Sequence, residues 1–273
     1  MRSKTSTGLF MRAYGVARRI GLSEISWFRR VFLFSYFLYK RWYEDPFFAL
    51  VNRHPELVQG GDILDVGANI GYTASVFAAA IQPPAKVYAF EPDQASFSTL
   101  REVIRRNQLA ASVEIFQMAV GSSDGTLEFW HNDKHSADHR VVTQQFNSSE
   151  LDRSKVTTVA VTSVDNFVAS RGLRNISFIK IDVQGYELAV CEGMKQTLQA
   201  FPQLCVAFEY APVGMRELGF DPAALLRFFR QAGYQLYLLT RSGLQLAQDD
   251  ASVEHAAQHS GYVDLLGSKK TFA

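Results

Sequence analysis

Residues 62–71 read Asp-Ile-Leu-Asp-Val-Gly-Ala-Asn-Ile-Gly, and this stretch constrains the fold more than any other part of the chain. A short apolar run that ends at Val66 is followed by a turn with Gly67 and Gly71, and then by a helical pattern. A strand, a glycine turn and a helix N-terminus in this order let the backbone approach a nucleotide-like ligand closely. The segment therefore predicts the start of a doubly wound nucleotide-binding fold.

A second strand pattern, at residues 86–90, ends in Glu91, which lies 20 residues after Gly71. In doubly wound nucleotide folds, an acidic residue at about this separation binds the ribose hydroxyls. The sequence therefore predicts a cofactor that contains adenosine. We expect Asp65 to close the first strand and to hold the glycine turn, and the alternative is a purely local turn cap.

The glycine turn differs from the dinucleotide fingerprint Gly-x-Gly-x-x-Gly, because it has Gly67 and Gly71 with Asn69 between them. Together with Glu91-Pro92, the pattern Asp-x-Gly-x-Asn-x-Gly resembles the first two cofactor motifs of class I S-adenosylmethionine-dependent methyltransferases. The resemblance implies that Asn69 and the amides near Gly71 bind the methionine tail, and that Glu91 accepts from the ribose. The cofactor residues implied so far are Asp65, Gly67, Asn69, Gly71, Glu91 and Pro92.

More motifs lie downstream of the glycine turn. Residues 178–187 read Phe-Ile-Lys-Ile-Asp-Val-Gln-Gly-Tyr-Glu, and residues 206–209 read Val-Ala-Phe-Glu. These motifs resemble the FkbM family of methyltransferases, whose pattern is Lys-x-Asp-x-Glu-Gly-x-Glu with a later Glu after a buried strand. The resemblance extends over about residues 44–240 and includes Ala119-Val-Gly121, which adds Ala119 to the cofactor residues. It implies O-methylation, chiefly of sugar and polyketide hydroxyls.

One position departs from the family pattern. Gln184 stands where the family usually has Glu, so the loop after the fourth strand lacks that charge and any role that the charge carries in the family. This departure keeps open a catalytically inactive, cofactor-binding protein as an alternative. The alternative among enzymes is an NAD-dependent sugar-modifying enzyme, which the missing third glycine and the absence of a Tyr-x-x-x-Lys pair disfavour.

Transfer of a methyl group to an alcohol requires alignment of the hydroxyl oxygen and a base for its proton. Asp182 is the first candidate for this base and Glu209 the second, because both follow buried strands whose carboxyl ends meet at one edge of a parallel sheet. The two carboxylates could instead hold a divalent cation. Metal-dependent O-methyltransferases use an Asp-Asn pair where this chain has Glu209-Tyr210, so the sequence favours a site without a metal.

Lys180 lies two residues before Asp182 and shares its face of the strand. A buried lysine is costly unless it is paired, so we expect an ion pair with Asp182 or Glu209, and the functional alternative is that Lys180 orients the substrate. Three histidines, His131, His135 and His139, fall in a polar segment without a clear helical pattern. We expect them in a solvated loop rather than as a base or as metal ligands.

The coarse pattern alternates strands and helices, which predicts a doubly wound, Rossmann-like α/β fold. We expect a seven-stranded, mostly parallel sheet with a terminal antiparallel strand, and an inserted β-hairpin formed by residues 126–130 and 156–162. Strands are predicted near 62–66, 86–90, 113–116, 178–182, 204–209, 234–240 and 261–266. Helices are predicted near 72–81, 93–107, 186–199 and 222–232.

The charge of the chain is unevenly distributed. Residues 1–45 carry nine Lys or Arg against three acidic residues, whereas the whole chain has a net charge of +1. This balance predicts no nucleic-acid partner. We expect residues 1–45 to form a basic, aromatic, helical extension and residues 46–273 to form the methyltransferase domain.

The apolar segment 31–39 is far shorter than the roughly 20 residues that span a bilayer. Residues 25–43 could form a helix that covers the domain edge or makes a homodimer contact. The second interpretation is a peripheral helix on the inner face of an anionic membrane, and a cap over the active site is compatible with both. Two separated cysteines and no signal peptide predict buried thiols in the cytoplasm. The predicted acceptor is a small-molecule or glycan hydroxyl.

Overall fold

The computed structural model describes residues 26–131, 139–146 and 151–272. Its strands are β1 (Asp62–Val66), β2 (Val87–Phe90), β3 (Val113–Phe116), β4 (Ala119–Gly121), β5 (Gly125–Trp130), β6 (Arg140–Val141), β7 (Val156–Ser163), β8 (Ile176–Ile181), β9 (Cys205–Tyr210), β10 (Gln235–Thr240), β11 (Gly243–Leu246) and β12 (Val263–Ser268). Its α-helices are α1 (Ser26–Tyr39), α2 (Phe47–Arg53), α3 (Tyr72–Ala80), α4 (Gln94–Arg106), α5 (Val164–Arg171), α6 (Glu187–Glu192), α7 (Lys195–Ala200), α8 (Pro212–Glu217), α9 (Pro222–Gln231) and α10 (Asp250–Ser260). A π-helical turn, Lys40–Glu44, follows α1 directly.

The main sheet has eight strands in the order β11-β10-β12-β9-β8-β1-β2-β3. The five strands from β9 to β3 are parallel, and β12 inserts antiparallel between β9 and β10. The expected Rossmann-like α/β fold is therefore confirmed, with all seven predicted strands in place. The eighth strand, β11, is additional and pairs antiparallel with β10 at the edge.

The predicted hairpin is part of a second sheet with the order β4-β7-β5-β6. Strands β5 and β7 form the expected antiparallel pair, whereas β4 and β6 are too short to leave a pattern in the sequence. The helix predicted over 186–199 is divided into α6 and α7. A Cβ atom at Gly193 would overlap the carbonyl oxygen of Gly121, so the chain bends where β4 approaches it.

The core lies in two layers, one on each face of the main sheet. Successive side chains of a strand point to opposite faces. In β8, Ile179 and Ile181 belong to the layer that includes α5, α6 and α9, while Phe178 belongs to the layer formed with α2, α3 and α4. Lys180 therefore faces the second layer, and by the same alternation so does Asp65 in β1.

The N-terminal helix α1 lies against this second layer. The ring of Phe37 meets Tyr72 of α3 edge to face at a centroid distance of 5.4 Å. Among the described residues, no helix combines the length and the apolar character needed to cross a bilayer. The division of the chain into units at residues 45 and 46 stays a prediction.

Candidate active site

The glycine turn after β1 has no room for side chains at its two glycines. Gly67 has a φ of +79°, and a Cβ atom there would overlap the carbonyl oxygen of Asp182. Gly71 has a φ of +91° and caps α3, where a Cβ atom would lie 2.6 Å from the Leu100 side chain. Asn69 also lies in the left-handed region, with a φ of +48°. The turn thus keeps bare backbone at the end of β1, as close approach to a ligand requires.

Glu91 is buried at the carboxyl end of β2 and supports this turn. Its carboxylate accepts the backbone N–H of Asn69 at 2.9 Å and that of Asp93 at 2.9 Å. Burial raises the pKa of Glu91 to about 8. The two hydrogen bonds fix the carboxylate beside Asn69, with both residues on the wall of one pocket.

Asp65 and Lys180 are register partners on the adjacent strands β1 and β8. The Lys180 Nζ lies 3.4 Å from the Asp65 carboxylate and 3.7 Å from that of Asp182, with only 3% of the lysine side chain exposed. It also donates a hydrogen bond of 2.7 Å to the carbonyl of Gly67. Burial alone would lower the pKa of Lys180, but Asp65 and Asp182 outweigh it and raise that pKa.

The expected ion pair between Lys180 and Asp182 is thus present. The second partner of Lys180 is Asp65 and not Glu209. Asp65 also accepts the Thr73 hydroxyl at 2.7 Å. Asp65 therefore holds the glycine turn through Lys180 and Thr73. Its buried position places it behind the pocket wall.

A pocket of about 480 Å³ lies at the carboxyl ends of the parallel strands. In open α/β sheets this edge is where ligands bind. The structure brings seven of the ten predicted site residues to its wall, whereas Asp65, Gly71 and Lys180 lie behind it. The seven are Gly67, Asn69, Glu91, Pro92, Ala119, Asp182 and Glu209.

The wall of this pocket carries a group of carboxylates, Asp182, Glu209 and Asp264. Burial and the neighbouring Asp182 raise the pKa of Asp264 to about 7 and raise that of Glu209 well above its usual value. The side chain of Asp182 remains 40% exposed. Gln184 donates its amide N–H to Asp182 at 2.9 Å and lies 3.5 Å from Glu209. The departure from the family pattern therefore places an amide between two carboxylates.

Glu187, the last acidic residue of the downstream motif, is buried at the start of α6. One carboxylate oxygen accepts the N–H groups of Val183 and Gly185, at 3.0 and 3.1 Å. Burial raises the pKa of Glu187 to about 7. Glu187 thus shapes the loop that carries Asp182 and Gln184 without reaching the pocket itself.

Several pocket residues were not among the sequence predictions. Asp264 lies in the antiparallel strand β12 and not at the end of a parallel strand, so no motif marks it. Tyr36, Lys40 and Asp45 come from α1 and the segment after it, and Arg140 comes from β6, where it pairs with Glu217. The basic N-terminal composition was the only signal for Lys40, and the cap interpretation of this segment is the one that anticipated such a contact.

Two of the three loop histidines contact Asp93, the N-cap residue of α4. The Nδ1 atom of His131 lies 2.6 Å from Asp93, and its Nε2 atom lies 2.7 Å from the Thr157 hydroxyl. The Nε2 atom of His139 lies 3.8 Å from Asp93. The expectation of a solvated loop is therefore wrong for His131 and His139, because Asp93 attracts both. His135 lies outside the described residues.

The ligand atoms of Asp93, His131 and His139 lie within 4.8 Å of one another, a spacing that could hold a metal ion. Both oxygens of Asp93 are already engaged, one with His131 and the other with the backbone N–H of Ser96 at 2.7 Å. Burial alone would raise the pKa of Asp93, but Ser96 and the histidines lower it. In the structure, His131 joins Asp93 at the start of α4 to Thr157 of the second sheet through hydrogen bonds.

The pocket wall carries two groups of residues with different chemistry, the glycine turn with Glu91 and the carboxylates Asp182, Glu209 and Asp264. Bare backbone and Glu91 suit a ligand with a ribose, whereas the carboxylates suit a hydroxyl that must lose a proton. Which of these residues act in catalysis or in binding stays a prediction.

Comparison with known proteins places the chain in a known sequence family. The sequence model described as "Methyltransferase FkbM domain" matches residues 65–236. The methyltransferase sdnD of Sordaria araneosa is 24% identical over 66% of this chain and 76% of its own length. The hexuronic acid methyltransferase AglP of Haloferax volcanii is 29% identical over 53% of this chain and 55% of its own length. The 31-O-demethyl-FK506 methyltransferase FkbM of Streptomyces tacrolimicus is 27% identical over 58% and 68%, respectively.

Proposed function

Because the chain belongs to the FkbM family of methyltransferases, we propose that it transfers a methyl group from S-adenosylmethionine to a hydroxyl oxygen of a sugar, a glycan or a related natural product. The observation that carries this proposal is one pocket whose wall includes the glycine turn and Glu91 together with the carboxylates Asp182 and Glu209. A transfer reaction requires that one cavity hold both the cofactor and the acceptor.

The residues of the glycine turn, with Glu91, Pro92 and Ala119, fit this cofactor. Gly67 leaves no side chain between the backbone and the ligand, and Asn69 lies beside it on the pocket wall. Glu91 would accept the two ribose hydroxyls, and Pro92 and Ala119 would line the adenosine part. When bound, S-adenosylmethionine supplies a methyl carbon that the neighbouring sulfonium activates.

Among the carboxylates of the pocket wall, Asp182 is the residue that we propose as the base. It is the more exposed of the strand-end carboxylates, and the Lys180 ammonium group at 3.7 Å stabilises its negative charge. Glu209 has a raised pKa and would keep its proton more readily, so it serves better as a hydrogen-bond donor that orients the acceptor. Asp182 would take the acceptor's proton as the acceptor oxygen bonds to the methyl carbon, whose bond to sulfur would break to leave S-adenosylhomocysteine.

The choice of a hydroxyl acceptor draws on the relatives together with the pocket. One relative is named for a hexuronic acid and another for O-methylation at position 31 of its substrate. Arg140, Lys40 and Glu217 line the same pocket and add charged groups suited to a polar acceptor such as a sugar. The two cysteines of the described chain, Cys191 and Cys205, are buried and free, which suits a reaction in the cytoplasm.

Calorimetry with S-adenosylhomocysteine, with NAD as the control titrant, tests the cofactor. Micromolar binding of the first compound alone is the expected result, and binding of NAD alone would overturn the proposal. Transfer from S-adenosylmethionine labelled with ¹³C in its methyl group tests the acceptor, with hexoses and hexuronic acids as the first panel. A methyl signal characteristic of an ether is expected, whereas one on nitrogen or carbon would contradict O-methylation.

A further inference from the structure

The segment that follows residue 30 exposes a continuous apolar face. Five of the eight large apolar side chains exposed on the described chain lie between residues 31 and 43. In the helix and the π-helical turn after it, positions separated by three or four residues lie on the same side. The docking face consists of Val31, Phe34, Leu38, Trp42 and Tyr43, with Phe34 66% and Tyr43 69% exposed.

The opposite side of the same segment is fixed to the domain. Tyr36 is buried, the Phe37 ring meets Tyr72, and the Arg41 guanidinium lies 3.8 Å from the centre of the Phe48 ring. Tyr36 and Lys40 line the pocket. These contacts hold the segment against the domain, and Phe34 and Leu38 of the docking face border a groove of about 540 Å³ formed with α2 and α3.

The stretch of sequence that contains this face carries an excess of positive charge. Residues 1–45 carry nine Lys or Arg against three acidic residues, and Lys40 and Arg41 adjoin Trp42 and Tyr43 in sequence. Basic residues next to exposed aromatic side chains are typical of segments that lie in the interface of an anionic bilayer. A second copy of the chain would bring an equally positive segment to the face, which like-charge repulsion opposes.

We propose that the docking face binds the surface of an anionic lipid bilayer. The apolar side chains would enter the boundary between headgroups and acyl chains, and the basic residues would bind the headgroups. Because Tyr36 and Lys40 of the same segment line the pocket, docking would bring the pocket close to the bilayer surface. This proposal goes beyond the methyl transfer and does not depend on it.

Vesicle flotation with the full-length chain tests the proposal without cofactor or acceptor. We expect the chain to float with vesicles that contain phosphatidylglycerol and phosphatidylcholine, and to float much less with phosphatidylcholine alone. Binding should weaken as salt concentration rises, since the charges are screened. A chain that leaves both kinds of vesicle unbound would overturn the proposal, as would equal binding to both at every salt concentration.

The double variant Phe34→Glu, Trp42→Glu places charges on the docking face without touching the pocket. We expect at least a tenfold loss of affinity for the anionic vesicles. Leu246→Glu is the matched control, because Leu246 is 50% exposed on the edge strand β11 and should leave binding unchanged. Unchanged binding of the double variant, or an equal loss in the control, would overturn the assignment of this face. Circular dichroism of all three proteins checks that each is folded.

Light scattering of the free chain distinguishes the membrane from a second copy. We expect a monomer whose mass the double variant does not change. A dimer that the double variant dissociates would show that another copy covers the face, and it would overturn membrane docking.

Discussion

Glu209 and Asp264 stand directly opposite each other on the antiparallel strands β9 and β12. Both side chains line the pocket, and like charges in such a cross-strand pair repel each other. Burial raises the pKa of both groups, that of Asp264 to about 7. Both carboxyl groups therefore keep their protons to a higher pH than exposed carboxyl groups do, beside the residues that we propose for the chemistry.

Stability of the free chain should fall as the pH rises from 6 to 8.5. Folding raises the pKa of Glu187 and Asp264 to about 7 and that of Glu91 to about 8, so the folded chain holds protons that the unfolded chain has released. Their stabilising contribution is complete below the unfolded values near 4 and is lost as the pH rises through 7 and 8. We expect the melting temperature, followed by circular dichroism, to drop by about 3 °C or more.

Asp264→Asn should reduce this pH dependence, since one of the groups that titrate is removed. Glu192→Gln is the control, because Glu192 is exposed and should leave the dependence as it is. An equal or higher melting temperature at pH 8.5 in the parent chain would contradict the expectation.

Asp182→Asn should lower turnover by about 10²-fold or more while the affinity for S-adenosylhomocysteine stays within a factor of two or so. The amide has nearly the same shape but cannot accept the acceptor's proton. Steady-state methyl transfer and calorimetry on the same preparation separate the two effects. Near-normal turnover would place the base elsewhere, and Glu209 would be examined next.

Glu91→Ala should weaken S-adenosylhomocysteine binding by about tenfold or more, since it removes the carboxylate proposed for the ribose and the acceptor for the Asn69 N–H. Calorimetry is the measurement. Glu114→Ala is the matched control, because Glu114 forms an ion pair with Lys86 on the surface, away from the pocket. Affinity that is equal in Glu91→Ala and the parent chain would remove Glu91 from the cofactor site.

Gln184→Glu restores the residue that the family pattern has at this position. A further carboxyl group beside Asp182 and Glu209 should replace the amide donor and raise the pKa of its neighbours. We expect the pH optimum of methyl transfer to move upward and turnover at pH 7 to fall severalfold. A large gain in turnover would instead identify Gln184 as a lost catalytic element and favour an inactive, cofactor-binding protein.

Gly67→Ala and Gly60→Ala form a matched pair of backbone tests. Both glycines have a positive φ, +79° and +99°, so both substitutions strain the backbone. Only the Cβ atom at Gly67 would overlap a neighbour, the Asp182 carbonyl, whereas Gly60 has open space. We expect Gly60→Ala to fold and to bind S-adenosylhomocysteine, and Gly67→Ala to lose binding or folding. Equal behaviour in urea unfolding and calorimetry would contradict this reading of the turn.

The parallel strands and the glycine turn were predictable from the sequence because their signals are local. An apolar run that ends in Asp65, Glu91, Asp182 or Glu209 marks the end of a strand, and parallel strands bring these ends to one edge. The partner of Lys180 was harder to predict. Its pairing with Asp65 depends on the register between β1 and β8, which joins residues 115 positions apart.

The residues that sequence reasoning missed are those that tertiary packing brings to the pocket from non-adjacent segments. Asp264 lies beside Glu209 at the pocket because β12 runs antiparallel to β9. No spacing in the sequence predicts this pairing. His131 and His139 turn inward because Asp93, which caps α4, attracts them. Tyr36 reaches the pocket because α1 lies along the domain surface, a placement that composition alone leaves open.

The parts of the pocket wall differ in how the chain builds them. The glycine turn belongs to one short stretch, in which Gly67 is pressed against the Asp182 backbone and tolerates little change. Other parts of the wall come from α1, the second sheet and β12, through Tyr36, Arg140 and Asp264. A change in the proposed acceptor preference would therefore involve three separate segments, which would have to be exchanged together.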